Sequence, residues 1–214
     1  QQAFDKQQHW TYTGLLQQAA AADTSFFAPR ARLALHGWLT GDQAALKKWG
    51  AEALSITAER NTAEDILAAM LKLAAAGPDA DLSTAGRRLA EAYPEVLEAH
   101  VLHGQSQLHA NHITNALKAF FKIRELNPSY GLTYKMLGKT YMQAESWAEA
   151  GAYFEMYINI SPGLADPHHC IGDFYKALAW NEHAARHYQW ALNIDPELEG
   201  VDKKLEEVEK LLKK

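Results

Sequence analysis

Tyr134-Lys-Met-Leu-Gly-Lys-Thr-Tyr141 is the stretch on which the reading of this chain turns. Tyr134, Leu137, Gly138 and Tyr141 are spaced three, one and three apart, which puts them on one face of a helix. A glycine inside a helix costs about 1 kcal/mol relative to alanine. The cost is tolerable where a second helix must approach the backbone closely, because glycine has no side chain in the way. His168-His-Cys-Ile-Gly-Asp-Phe-Tyr175 repeats the spacing 34 residues later.

Outward from this segment the 34-residue period holds in four independent series. They are Pro94, Pro128, Pro162 and Pro196; Gly104, Gly138 and Gly172; Ala116, Ala150 and Ala184; and Phe120, Phe154 and Tyr188. Ser146 followed by Glu149 has the form of a capping box that opens a second helix. Ala150 offers a small surface to Gly138, Phe154 and Tyr157 continue the apolar stripe, and Pro162 stops the helix. The segment from Ala165 to Leu198 follows the same plan through Ile171, Gly172, Tyr175, Ala184, Tyr188, Ala191 and Pro196.

This pattern resembles the tetratricopeptide repeat, whose signature is W-x2-L-G-x2-Y, then A-x3-F, then P, at a 34-residue period. Tyr134 and His168 stand where the family has tryptophan. The segment 97–130 is a looser copy, with His103 and Gln107 where leucine and tyrosine are usual. The resemblance covers 97–198 as three repeats, 97–130, 131–164 and 165–198. It implies an all-α, right-handed superhelical solenoid of antiparallel helix pairs, with about five hairpins in all.

Residues 1–96 read as divergent hairpins of the same kind. Ala28 to Thr40 and Gln43 to Thr57 flank a Gly41-Asp42 turn. Thr62 to Ala76, opened by a Thr62-x-x-Asp65 cap, and Leu82 to Tyr93 flank a turn at 77–81. Residues 3–22 suggest a leading helix. In 199–214 a charged helix carries Leu205, Val208, Leu211 and Leu212 on one side, as a helix covering the last apolar face of a repeat array would.

Composition narrows the function classes. Apolar residues make up 48% of the chain, enough for a core, and abundant Ala, Leu, Gln, Glu and Lys favour helix. The net charge of −5 with no basic stripe argues against nucleic acid as a partner. No apolar run reaches the ~18 residues that suggest a membrane span. Cys170, the single cysteine, has no internal disulfide partner. The chain opens Gln1-Gln2-Ala3 without methionine, as signal-peptide cleavage would leave it, so an exported or periplasmic setting is favoured over the cytoplasm.

In the resembling family the first helices line a concave groove in which partner peptides lie. Helix geometry identifies the stripe of each first helix that the core does not use. In the repeat at 131 it is Leu132, Lys135, Lys139, Met142 and Gln143. In the repeat at 97 it is Glu98, Val101, Gln105, Leu108 and His109. In the repeat at 165 it is Asp166, His169, Asp173, Lys176 and Ala177. Lys135 and Lys139, one turn apart, are expected to point the same way and receive a partner's carboxylate. Some family members bind acidic chaperone tails through a lysine, asparagine and arginine clamp. That set is absent here, since Val101 and Gln105 precede the lysine pair and His169 and Asp173 follow it.

The expectation is therefore a non-catalytic scaffold that binds a protein or peptide, with no cofactor. Homo-oligomerisation through open ends and service as an accessory domain of a larger exported enzyme are the alternatives. A monomer is expected if both ends are covered, and a homodimer if they are not. The chain has no G-x-S-x-G, no phosphate-cradling glycine loop and no paired carboxylates in a cleft. His183 and His187 have a workable metal-ligand spacing but sit on a second helix with no completing H-E-x-x-H motif, so no metal is expected. His168, His169 and Cys170 diverge by about 100° each on a helix and cannot all grip one ion. Trp10, Trp38, Trp49, Trp147, Trp180 and Trp190 are expected as core or inter-repeat wedges, with Trp147 and Trp180 partly exposed beside turns.

Overall fold

The structure is a computed structural model and describes residues 14–77 and 80–213. The expected start of the leading helix, Trp10 and the middle of the 77–81 turn lie outside the described residues. Helix α1 is described over residues 14–22. It is followed by α2 (Phe27–Thr40), α3 (Gln43–Ser55), α4 (Thr62–Ala74), α5 (Ser83–Ala92), α6 (Leu97–His109) and α7 (Ile113–Leu126). Then come α8 (Gly131–Gln143), α9 (Trp147–Ile160), α10 (Ala165–Ala177), α11 (Asn181–Ile194) and α12 (Val201–Leu212). No strand occurs among the described residues. The chain divides into two compact units, with the boundary between Leu126 and Asn127.

The N-terminal unit has a core that includes Phe27, Leu35, Trp38, Leu46, Met70, Leu71, Leu82 and Leu89. The C-terminal unit builds one cluster around Tyr134, Phe154, Tyr157, Ile171 and Phe174. A second cluster holds Ala184, Tyr188, Ala191, Val201 and Val208. The last of these clusters brings α12 onto α11, with Val201 and Val208 fully buried.

Helix ends follow the sequence in part. α5, α7, α9 and α11 each stop two residues before Pro94, Pro128, Pro162 and Pro196. The Ser146–Glu149 capping box does not form: Ser146 is the N-cap of α9 but makes no side-chain cap bond. Its backbone N–H instead donates to Tyr141 O, closing the turn. The cap of α4 lies one residue earlier than expected. The side chain of Asn61 accepts from the Glu64 N–H, and the side chain of Glu64 accepts from the Asn61 N–H.

The nearest neighbours of the glycine series are aromatic rings. A Cβ on Gly138 would stand 2.6–2.9 Å from ring atoms of Phe154, and one on Gly172 would stand 2.6 and 2.7 Å from Tyr188. Gly104 faces Phe120 in the same way. Each glycine therefore makes room for the aromatic ring sixteen residues later, and Ala150 is buried in the same cluster as Phe154.

The turn inside each repeat carries a further period. Asn111, Glu145 and Ala179, spaced by 34, have φ of 59°, 57° and 58°. Each sits just past a helix end that closes with a six-residue backbone bond, His112 N–H to Gln107 O, Ser146 to Tyr141 and Trp180 to Tyr175. A Cβ in this left-handed region is unfavourable, and Ala179 has no polar side chain to offset it. Ala179→Gly is expected to stabilise the protein by about 0.5–1 kcal/mol after the greater freedom of glycine in the unfolded chain is subtracted. The check is the thermal midpoint, which should rise; a fall would contradict this account of the turn.

Candidate partner-binding face

In the C-terminal unit α8, α10 and α12 are joined by charged side chains at a constant offset. Lys135 Nζ donates to both Asp166 oxygens at 2.8 and 2.7 Å. Lys204 Nζ donates to both Asp173 oxygens at 2.7 and 2.8 Å. Lys176 Nζ donates to Glu207 Oε2 at 2.6 Å. The partners are 31 residues apart in every case. Since the repeat is 34, these helices run side by side with a stagger of three residues, about 4.5 Å along the axis.

The second helices reinforce the two aspartates. Tyr157 on α9 donates its hydroxyl to Asp166 Oδ2 at 2.9 Å, and Tyr188 on α11 donates to Asp173 Oδ1 at 2.7 Å. Burial works against ionising Asp166, but the Lys135 ammonium and the Tyr157 hydroxyl outweigh it and hold the carboxyl below its usual range. Burial likewise works against the Lys135 ammonium, and Asp166 outweighs it, so the lysine stays charged to higher pH than usual. His169 Nε2 lies 2.7 Å from Lys204 Nζ, and burial lowers its pKa, which keeps the ring neutral and able to accept that bond.

The sequence-derived stripe thus separates into two groups. Lys135, His169, Asp173 and Lys176 are brought together, but with one another's helices and with α12. At Lys135 the carboxylate expected from a partner is supplied by Asp166 of the next repeat. Leu132 is 40% exposed. Lys139 and Gln143 are exposed and Met142 is half-buried on the same helix. Lys139 has no ion-pair partner among the described residues.

In the N-terminal unit Val101, Gln105 and Leu108 are half-buried on α6, and His109 is exposed at its end. Side chains of α2 reach this stripe: Arg32 pairs with Glu98 at 2.9 Å, and the Trp38 and His109 rings lie 4.5 Å apart. Sequence reasoning missed Arg32, Trp38, Lys204 and Glu207 as parts of these faces. A search for opposite charges at an offset of 31 would have found Lys204 and Glu207.

Cys170 is buried with its thiol donating weakly to Asp166 Oδ2 at 3.8 Å, and burial first, then Asp166, pushes that thiol up to about 12, so it stays protonated. Trp38 is buried; Trp147 and Trp180 are 36% and 55% exposed, as expected beside their turns, with Trp147 set 6.5 Å from the Phe174 ring of the next repeat, while Trp190 is 44% exposed. No helix among the described residues is long and apolar enough to cross a membrane.

Comparison with known proteins rests on structure alone. No protein-family model matches the sequence, and no curated protein does. Among solved structures, the thermophilic TPR protein TTC0263 of Thermus thermophilus is similar at a TM-score of 0.66 and 16% identity, covering 86% of this chain and 98% of that one. A structure of MamA is similar at 0.56 and 21%, covering 73% and 95%. MamA 41-end from Desulfovibrio magneticus RS-1 is similar at 0.55 and 16%, covering 71% and 85%. The likeness shows the fold: this is an all-α chain with the fold of the tetratricopeptide-repeat solenoids, as the 34-residue signature implied.

Proposed function

We propose that this chain is a non-catalytic scaffold that holds an extended protein segment against the face formed by α8, α10 and α12. The reading starts from the fold, which suits protein interaction in general. The observation that carries it further is the unequal use of charge on this face. Lys135 with Asp166, Lys204 with Asp173 and Lys176 with Glu207 already satisfy one another across the helices. Leu132 and Lys139, seven residues apart and so on one stripe of α8, remain open as an apolar contact and a cation. Met142 and Gln143 extend that stripe by one turn.

The stripe on α6, with Val101, Gln105, Leu108 and His109, is partly taken by α2 through Arg32 and Trp38. Partner contact is therefore assigned to α8 first.

Site-specific photo-crosslinking in the native source tests this. A photoreactive residue at 132 or 139 should capture a partner polypeptide, and one at Arg186, exposed on α11, should not. Equal capture from all three positions, or capture from 186 alone, would overturn the assignment.

A further inference from the structure

The repeat provides its own reference for one unusual pair of side chains. His100, Tyr134 and His168 hold the same repeat position. In the first two repeats the side chain bonds back to a carbonyl six residues earlier: His100 Nε2 lies 2.8 Å from Pro94 O, and the Tyr134 hydroxyl donates to Pro128 O at 2.7 Å. His168 departs from this. Its Nδ1 turns toward Nδ1 of His187 on α11, at 3.3 Å.

His187 is itself a departure. It stands where the preceding repeat has Tyr153, and His183 stands where that repeat has Glu149. Tyr153 stacks on Tyr141 at 5.4 Å, and His187 keeps that place against Tyr175 at 5.4 Å. His183 lies against the same Tyr175 ring at 5.2 Å. Trp190 borders both members of the pair, 5.5 Å from His168 and 4.9 Å from His187. Three imidazoles thus stand where the preceding repeat has Tyr134, Glu149 and Tyr153, in one small region of one repeat.

We infer that His168 and His187 form a two-histidine site for a divalent transition-metal ion of the zinc or copper class. Nitrogen ligands ~2.0–2.1 Å from a tetrahedral ion stand about 3.3–3.4 Å from each other, which is the separation of the two Nδ1 atoms. Imidazole is the ligand these ions favour. The two rings are stacked, with centroids 5.5 Å apart and planes 29° to each other, and both would turn for their Nδ1 lone pairs to meet at one ion.

Among the described residues no three His, Cys, Asp or Glu side chains already stand at metal-holding distance. The built site therefore supplies two ligands, and water fills the other positions. The His183–His187 spacing by itself did not suggest this arrangement, because the second ligand comes from α10.

The competing occupant is a single proton shared between the rings as an N–H···N bond. Calorimetric titration of the whole chain with zinc and with copper separates the two. One saturable equivalent is expected, weakened at least about tenfold in both His168→Ala and His187→Ala, while His112→Ala binds as the parent does. Absence of saturable binding, or binding that neither variant weakens, would overturn the site. Should a variant fail to fold, the parent protein loaded with one copper equivalent decides the matter. Its electron paramagnetic resonance spectrum should show splitting from at least two ring nitrogens, and a spectrum with one or none would contradict the inference.

Discussion

Gly138→Val is expected to lower the stability of the protein by about 3 kcal/mol. A Cβ at this position would stand 2.6, 2.8 and 2.9 Å from three ring atoms of Phe154. The Phe154 ring is 1% exposed and packed in the central cluster of the C-terminal unit, so it cannot swing aside without opening its own contacts. Replacing a helical glycine would ordinarily gain several tenths of a kcal/mol in propensity. The overlap outweighs that gain, and the branched side chain adds two methyl groups to it.

Phe154→Leu in the same chain should recover part of the loss, because leucine vacates the ring edge that valine needs. Urea unfolding followed by circular dichroism measures both. A Gly138→Val midpoint indistinguishable from that of the parent would show that the helices do not depend on this approach.

Lys135→Glu is expected to cost about 2–4 kcal/mol. It removes the ammonium that neutralises Asp166 and sets a second carboxylate beside it. The side chains of Lys135 and Asp166 are 25% and 32% exposed, so water screens part of the repulsion, and the cost falls short of that of a fully enclosed pair. Lys135→Met should cost less, since it leaves Asp166 the Tyr157 hydroxyl and the weak Cys170 thiol as donors and adds no charge.

The pH dependence has a definite sign. The Asp166 carboxyl is held below its ordinary value of 3.8, so its stabilisation is present above about pH 4 and is lost as pH falls through its lowered pKa. The Lys135 ammonium is held above 10.5, so its share is present below that pH and is lost as pH rises further. The stability difference between parent and Lys135→Met should therefore be flat across neutral pH and shrink in acid.

The residues that a single helix can specify were legible in the sequence. The spacing of Tyr134, Leu137, Gly138 and Tyr141, and the four series at 34, gave the three helix pairs of 97–198 and the face of each first helix that packs on its own second helix. What one helix cannot specify was not legible. Periodicity put Gly138 and Ala150 on facing surfaces, but the ring of Phe154 fills the gap because a helix crossing depends on side-chain direction as well as sequence position.

The spacing placed the cap of α4 at Thr62–Asp65, and the structure has it at Asn61–Glu64. The extended backbone of Asn61, with φ −77° and ψ 170°, selects the earlier position. At α9 the turn before Ser146 is closed by backbone bonds, and the Ser146 side chain takes no part in the cap. Lys135 was placed on the right stripe, yet its partner lies 31 residues away on a parallel helix, and that stagger is a property of the packed pair. In the same way, nothing within α6 indicates that Arg32 and Trp38 of α2 come to rest on Glu98 and His109.

The proposed function divides the first-helix face between residues that hold helices together and residues that meet a partner. Binding and stability measured side by side, with the crosslinked partner segment as ligand, test it most directly. Lys139→Glu should weaken binding at least about tenfold, the equivalent of about 1.4 kcal/mol, while the unfolding midpoint stays where it is. Lys135→Met should lower the midpoint. Unchanged binding by Lys139→Glu, with the midpoint also unchanged, would contradict the account.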